Sequence, residues 1–291
     1  MHRFTRRSVM TGAAALAASL SMPAVRAKGR LVIKIGLGPQ QPTQADTKRV
    51  WEPLYKIVCD RVGADLDLTI ATDWAGISVA LANEQIDLAQ MGPWGYILAK
   101  TNAGSRIINT MLVDGLPTYR AIIIARPGLT VARFPEDAKG LSIQLMDRGA
   151  TSGWLIPSHH FQAKGIAPES FFGKYAEGGN ASAMQLAVAN GQLDLAAGWD
   201  THRNTMIRNG LMKPDSNQII WQSDPIPNEC VVVRKGLPGD LAAGLQAALA
   251  GLSDEERRLM PAPYDGFIPA THEPYAKLEQ MGRDLGVLKS S

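Results

Sequence analysis

The sequence predicts a two-lobed α/β fold, each lobe a mainly parallel sheet flanked by helices, with a hinge of two crossing segments. Three observations carry that expectation. From residue 31 onward, short β-branched runs alternate with longer stretches of helical periodicity, the pattern left by crossover connections between parallel strands. Residues 73–89 (DWAGISVALANEQIDLA) align without gaps on residues 180–196 (NASAMQLAVANGQLDLA), with identities that include Asn83/Asn190, Gln85/Gln192 and Asp87/Asp194. Two further runs, 119–125 (YRAIIIA) and 230–234 (CVVVR), each lead into a polar turn with Gly and basic residues. Such runs suit strands placed where the chain crosses from one lobe to the other.

At 291 residues, 45% apolar and 20% charged, the chain is long enough for two average domains and has the balance of a core-forming protein, which excludes disorder and fibrous repeats. Its formal charge of +3 is misleading: residues 1–27 hold Arg3, Arg6, Arg7 and Arg26 and no acid, and removing those four charges leaves −1. No electrostatic case remains for nucleic acid or an anionic membrane as partner.

Those first 27 residues read as an export signal. Arg6-Arg7 precedes the weakly apolar run 9–22, and Val25 and Ala27 place small residues where a signal peptidase would cut. The twin arginine resembles a Tat signal. The run is too short and too rich in Ala and Gly to anchor a bilayer, and no later segment approaches eighteen uninterrupted apolar residues. The mature chain is therefore expected to span no membrane and to lie in the periplasm.

Beyond the signal, strands are expected at 31–36, 66–70 and 86–90, with helices over 44–62 and from residue 75. Each copy of the repeat opens on a polar cap, Asp73 or Asn180, continues as an amphipathic helix, turns at Asn-x-Gln and ends in a buried strand. Each strand then enters a loop: Gly92-Pro93-Trp94-Gly95-Tyr96 in one copy and Gly198-Trp199-Asp200-Thr201 in the other. Open α/β sheets bind ligands at the carboxyl ends of their strands, so two facing copies make a cleft. The expected lobes are 28–122 with 230–291, and an inserted 123–229. Helices near 238–252, 254–260 and 273–285 return the chain to the first lobe.

The chemistry-bearing segments are few. Asp147-Arg148-Gly149-Ala150-Thr151-Ser152-Gly153 follows a strand at 142–146 and opens a helix running to about residue 164. Hydroxyls and free N–H groups at a helix start form an anion site, although a simple helix cap has the same appearance. Gly36-Leu37-Gly38 lacks the third glycine of a dinucleotide fingerprint and is followed by Pro39. Neither a phosphate-binding G-x-x-x-x-G-K-[ST] loop nor a G-x-S-x-G elbow occurs. His159 and His160 lack the spacing of a helical metal pair and read as packing residues; Cys59 and Cys230 read as core thiols with no reason to pair. Trp74, Trp94 and Trp199 fall in or beside the candidate ligand loops, as the walls of a cleft would.

Taken in order, Ala71-Thr72-Asp73-Trp74-Ala75-Gly76, Gly92-Pro93-Trp94-Gly95-Tyr96, Gly149-Ala150-Thr151-Ser152-Gly153, Gly198-Trp199-Asp200 and Pro225-Ile226-Pro227-Asn228-Glu229 resemble the phosphonate- and phosphite-binding proteins of ABC importers. The resemblance runs from about residue 31 to 233. It implies the type II periplasmic binding fold, closing like a hinged clamp on a small ligand. It places ligand donors at Thr151, Ser152 and Tyr96 and an acid at Asp200. It also marks departures: Trp74 stands where relatives carry Tyr, Ala150 where many carry Ser, Asn180 where His is common, and Glu229 where Asp is usual.

The expected ligand site is therefore Trp74, Tyr96, Thr151, Ser152, Asn180, Asp200 and Glu229, without catalytic residues, metal or cofactor. The expected function is capture of a small phosphorus oxyanion (phosphonate, phosphite or related) and its delivery to an ABC permease. A sensory protein docking on a membrane histidine kinase, for instance for arsenite through Cys230, and an enzyme on the same fold are the alternatives. Export carries its own test: N-terminal sequencing of the periplasmic protein should begin at Lys28, and an active mature form retaining Met1 would overturn the assignment of residues 1–27.

Overall fold

A computed structural model describes residues 30–41 and 43–288; the export signal expected at 1–27 lies outside them. The chain begins with β1 (Leu31–Leu37), α1 (Gln44–Arg61), β2 (Ala64–Ile70), α2 (Trp74–Ala82), β3 (Leu88–Met91), α3 (Pro93–Ala103) and β4 (Arg106–Val113). After the two-residue β5 (Thr118–Tyr119) come β6 (Ala121–Ala125), β7 (Ser142–Gln144), α4 (Ile156–Ala163), α5 (Pro168–Phe171), β8 (Lys174–Ala176), α6 (Ala181–Ala189), β9 (Leu195–Trp199), α7 (Asp200–Arg208) and β10 (Gln218–Gln222). The short β11 (Ile226–Pro227) precedes β12 (Cys230–Val233), α8 (Gly239–Ala250), α9 (Asp254–Arg257), β13 (Tyr264–Pro269) and α10 (Ala276–Asp284). Among the described residues, no helix is long and apolar enough to cross a membrane.

Two sheets result, six strands ordered β13-β4-β12-β3-β1-β2 and five ordered β10-β6-β9-β7-β8. Between them, β5 and β11 pair as a two-stranded antiparallel ribbon. The expectation of mainly parallel sheets needs correction. β1 runs parallel to β2 and β3, and β7 to β8 and β9, but β12 and β6 run antiparallel to both neighbours. The cause is the hinge: β6 and β12 directly follow the ribbon strands, so each enters its sheet opposite to the strands built by crossover helices.

The internal repeat is structural down to single atoms. The Asp73 side chain accepts the N–H of Gly76 and the Asn180 side chain accepts those of Ser182 and Ala183, so each copy caps a nine-residue helix. Both copies then take a left-handed residue at the same step of the repeat, Glu84 (φ 55°) and Gly191 (φ 71°). Asp87 accepts the backbone N–H of Lys34 in β1 at 3.0 Å and Arg234 Nε at 2.8 Å. Its counterpart Asp194 accepts the N–H of Ser142 in β7 at 2.9 Å and Arg126 Nε at 2.7 Å. Each aspartate thus ties a parallel neighbour to an arginine that follows the antiparallel strand, which fixes the strand order of its sheet.

Helix α1 shows how the core forms. Thr43 caps it by accepting the N–H of Asp46, and Trp51, Leu54, Tyr55 and Val58 recur at three- and four-residue spacing on its buried face. They pack on Ile33, Ile35 and Leu37 of β1 and on Leu245 and Leu249 of α8. On the other face of that sheet, a second cluster runs without interruption from Ile77 and Trp94 to Ile123, Leu195 and Phe161 of the five-stranded sheet. His160 joins it, stacked on Phe134 at 6.1 Å and beside Trp221 at 4.7 Å. Cys59 and Cys230 are both free and buried, and burial pushes the Cys59 thiol up to about 11. Truncating a fully buried strand residue in either sheet, Ile35→Ala or Ile123→Ala, should cost about 2–5 kcal/mol in chemical denaturation; a loss under about 1 kcal/mol would show that the strand is not core.

Candidate functional site

The segment after β7 is built to leave backbone donors free. Asp147 turns the chain by accepting the N–H of Gly149 through Oδ1 at 2.9 Å, while its carbonyl accepts that of Ala150 at 2.9 Å. Residues Thr151–Leu155 then form a π-turn. Leu155 N–H reaches back five residues to Ala150 O at 3.1 Å, and Ile156 N–H reaches Thr151 O. The wider turn leaves the N–H groups of Thr151 and Ser152 without an acceptor inside it, at the positive end of the helix that continues as α4. Gly153 permits the turn to lie on Met146, whose Cγ would sit 2.4 Å from any Cβ there.

This segment meets the other sheet's helices. A Cβ on Gly149 would fall 2.4 Å from Ala75 N, so the backbones of the two lobes touch at that point. Trp94 N–H at the start of α3 donates to Thr151 Oγ1 at 2.9 Å, and Trp94 Nε1–H donates to Arg148 O at 2.9 Å. The N–H of Trp74 at the start of α2 approaches Asp147 Oδ2 at 3.4 Å. Two helix starts on one lobe are thus satisfied by acceptors on the other.

Behind that seam lies a cavity of about 20 Å³ lined by Trp74, Tyr119, Thr151, Ser152, Asn228 and Glu229, with Trp199 and Tyr264 completing its wall. It holds little more than a water-sized group, so a larger ligand requires the walls to part. Asn228 accepts the N–H of Glu229 through Oδ1, but its Nδ2 is buried without an acceptor among the described residues. An unpaired buried donor facing a cavity is costly unless something fills it. Among the described residues, no Lys or Arg lines the cavity. Its donors are neutral amides and hydroxyls.

Glu229 is held by a relay from α1. Gln40 Nε2 donates to Glu229 Oε2 at 2.7 Å and Gln90 Nε2 lies 3.5 Å from the same oxygen. The carbonyls of these two glutamines accept from Trp51 Nε1 at 2.6 Å and Tyr55 Oη at 2.7 Å. With the aromatic donors fixing each amide's orientation, both NH₂ groups must face the carboxyl. Burial drives Glu229 up to about 7, against the opposing pull of hydrogen bonds from Gln90 and Tyr264.

Four of the seven expected site residues meet here: Trp74, Thr151, Ser152 and Glu229. Trp74 fits because Gly38, just after β1, leaves room for its ring, whose Cζ3 would lie 2.5 Å from a Cβ at that position, while Gly36 leaves room for Ile77 and Ile86. Three do not line the cavity. Tyr96 is turned away, with its hydroxyl 3.1 Å from His272 Nδ1 and its ring edge-on to Tyr275, because α3 presents residue 96 to the C-terminal segment. Asn180 caps α6 and lines a neighbouring opening with Trp74. The carboxylate of Asp200 accepts the backbone N–H groups of Arg120 at 3.1 Å and Thr201 at 2.8 Å, which the hinge and the start of α7 leave free. Sequence reasoning missed Tyr119, Asn228 and Tyr264. Asn228 stood inside a quoted motif, and its signal was an amide beside a buried acid.

The model of one protein family, described as the periplasmic phosphonate substrate-binding protein of ABC transporters, matches residues 35–275. The chain belongs to that family. This phosphonate-binding family member is 27% identical over 218 residues to the phosphate-import protein PhnD of Mycolicibacterium smegmatis, covering 71% of this chain and 67% of the relative. It is 26% identical over 199 residues to the phosphonates-binding periplasmic protein of Escherichia coli, covering 67% of this chain but 59% of that relative's length. Its fold is similar to that of a binding protein component of an ABC phosphonate transporter from Pseudomonas aeruginosa, with a TM-score of 0.78, 23% identity, and coverage of 87% of this chain and 85% of the other.

The raised acid has a pH consequence. The native state holds the Glu229 proton across the window from its ordinary value of 4.5 to about 7, whereas the unfolded chain releases it at the lower end. Stability from this group is therefore full below about 4.5 and is lost as pH rises through about 7, on the order of 3 kcal/mol in all. Thermal melts without ligand should show this slope in the wild type and its loss in Glu229→Gln; identical profiles for the two would remove the buried acid from the account.

Proposed function

We propose that this chain is an exported solute-binding protein that captures a small, singly protonated phosphorus oxyanion between its lobes and delivers it to an ABC permease. Residues 28–122 with 230–291 would form one lobe and residues 123–229 the other. The observation that carries this reading is the convergence on one cavity of free Thr151 and Ser152 amides, the unpaired Asn228 Nδ2 and a single acid of raised pKa.

Those donors suit oxygens that bear charge. Glu229 suits the one oxygen that bears a proton, because it accepts from P–OH when ionised and donates to P–O⁻ when protonated. Above about pH 7, where Glu229 is ionised, a fully ionised, acceptor-only anion such as sulfate would meet the carboxylate's charge with nothing to share. Asp200 does not line the cavity and its Oδ1 accepts two backbone N–H groups, so Glu229 alone supplies that discrimination. The cavity's size supports entry by lobe separation and retention by closure, which requires a ligand that binds the closed state more strongly.

Calorimetry with phosphite, methylphosphonate, phosphate and sulfate across a pH series provides the test. Phosphite and methylphosphonate should bind and sulfate should not. Ser152→Ala and Asn228→Ala should each weaken binding by roughly 1.5–3 kcal/mol, with melting temperatures close to wild type, and scattering should show a smaller radius of gyration with ligand. A preference for sulfate, or equal affinity in both variants, would overturn the assignment.

A further inference from the structure

We propose that a second chamber between the lobes, separated from the small cavity by Trp199 and Tyr264, takes the organic substituent of the phosphorus ligand and selects for an uncharged one. This rests on the reading above, since it needs the phosphorus group to occupy the small cavity. The chamber is about 220 Å³, and both rings line it as well as the cavity. Gln40 also joins the two: it lines the chamber and donates to Glu229. A substituent leaving an anion beside Thr151 and Glu229 would need only to part those two rings to reach it.

The walls set the chemistry. Leu186, Met206, Leu211 and Pro263 supply apolar surface, Ser182, Thr205 and Asn209 neutral polar groups, and no Asp, Glu, Lys or Arg lines the chamber among the described residues. Its one titratable imidazole is neutral at physiological pH. His202 stacks on Trp199 with ring centres 4.7 Å apart and lies 3.2 Å from Ser182 Oγ through Nε2, and burial holds it down to about 4. An alkyl, aryl or hydroxyalkyl group enters such a space with a gain from burial. An ammonium group would find no carboxylate there to offset whatever water it gave up.

The cavity has another way out, past Trp74 and Met146, into an opening lined by Asp73 and Asp147. Both of those carboxylates are already engaged. Asp73 Oδ1 accepts Gly76 N–H at 2.6 Å, and Asp147 accepts the N–H groups of Gly149 and Trp74. They hold helix starts and the lobe seam, so a substituent that drew on them would loosen both, which favours the neutral chamber as receptor.

The test is calorimetry on the mature exported protein with phosphite, methylphosphonate, propylphosphonate, phenylphosphonate and 2-aminoethylphosphonate. Two variants change exposed chamber residues, Leu186→Trp to fill the space and Leu211→Asp to charge it, with thermal melts to verify folding. Wild type should bind propyl- and phenylphosphonate about tenfold or more tighter than 2-aminoethylphosphonate. Leu186→Trp should weaken the two larger neutral ligands about tenfold while leaving methylphosphonate within about threefold. Leu211→Asp should narrow the gap to 2-aminoethylphosphonate. If neither phosphite nor methylphosphonate binds the wild type, the function proposed above fails and the chamber assignment with it. If methylphosphonate binds but 2-aminoethylphosphonate binds tightest, or the larger ligands ignore both variants, the chamber assignment alone is overturned.

Discussion

The site depends on one close approach, where the backbone at Gly149 lies against the backbone at Ala75 with no room for a side chain. That contact lets Asp147 and Thr151 reach the starts of α2 and α3, whose first N–H groups would otherwise end in the interface unsatisfied. It also brings the π-turn opposite Asn228 and Glu229. The lobes are therefore matched by complementary orphan groups, helix-start donors on one side and carboxyl, hydroxyl and carbonyl acceptors on the other. The ligand cavity is what that seam encloses.

The anion recognition proposed for this cavity needs no cation because of where the donors sit. A buried Lys or Arg would have to be desolvated in the empty protein, whereas an N–H group at a helix start is fixed by the backbone and bears only a partial charge. The cost of carrying such donors unfilled is visible at Asn228 Nδ2. A ligand that accepted from this group would recover that cost. In the proposed function Glu229 would add selectivity by proton position, and the glutamine relay from Trp51 and Tyr55 prevents its partners from turning their amide groups.

Some of the site was readable because the sequence advertises it. Thr151 and Ser152 follow a strand and precede a helix, a local arrangement that defines donors whatever else the chain does. Trp74 and Glu229 lay in quoted segments. Tyr96, Asn180 and Asp200 sat in the right segments as well, yet their side chains were claimed by nearer partners: a histidine from the C-terminal segment, a helix start, and the hinge backbone. Tyr264 was hidden because β13 follows Pro261 and Pro263 and shows no alternation to mark it as a strand, while Tyr119 looked only like part of a crossing strand.

By itself, the sequence determined the repeated unit, its caps and the α/β plan, because each is set by neighbours within a few tens of residues. Asp87 and Asp194 mark the limit of this: the same short motif recurs, but the clasps it builds reach Arg234 and Arg126, far away along the chain. Only the tertiary structure decided the direction of β6 and β12, which depends on how the chain passes the hinge. It alone also decided which polar groups remain unpaired in the cavity. Hydrogen bonds form with whichever partner packs nearest, and residues 40, 119, 152, 228 and 264 become neighbours only after both sheets have closed on one another.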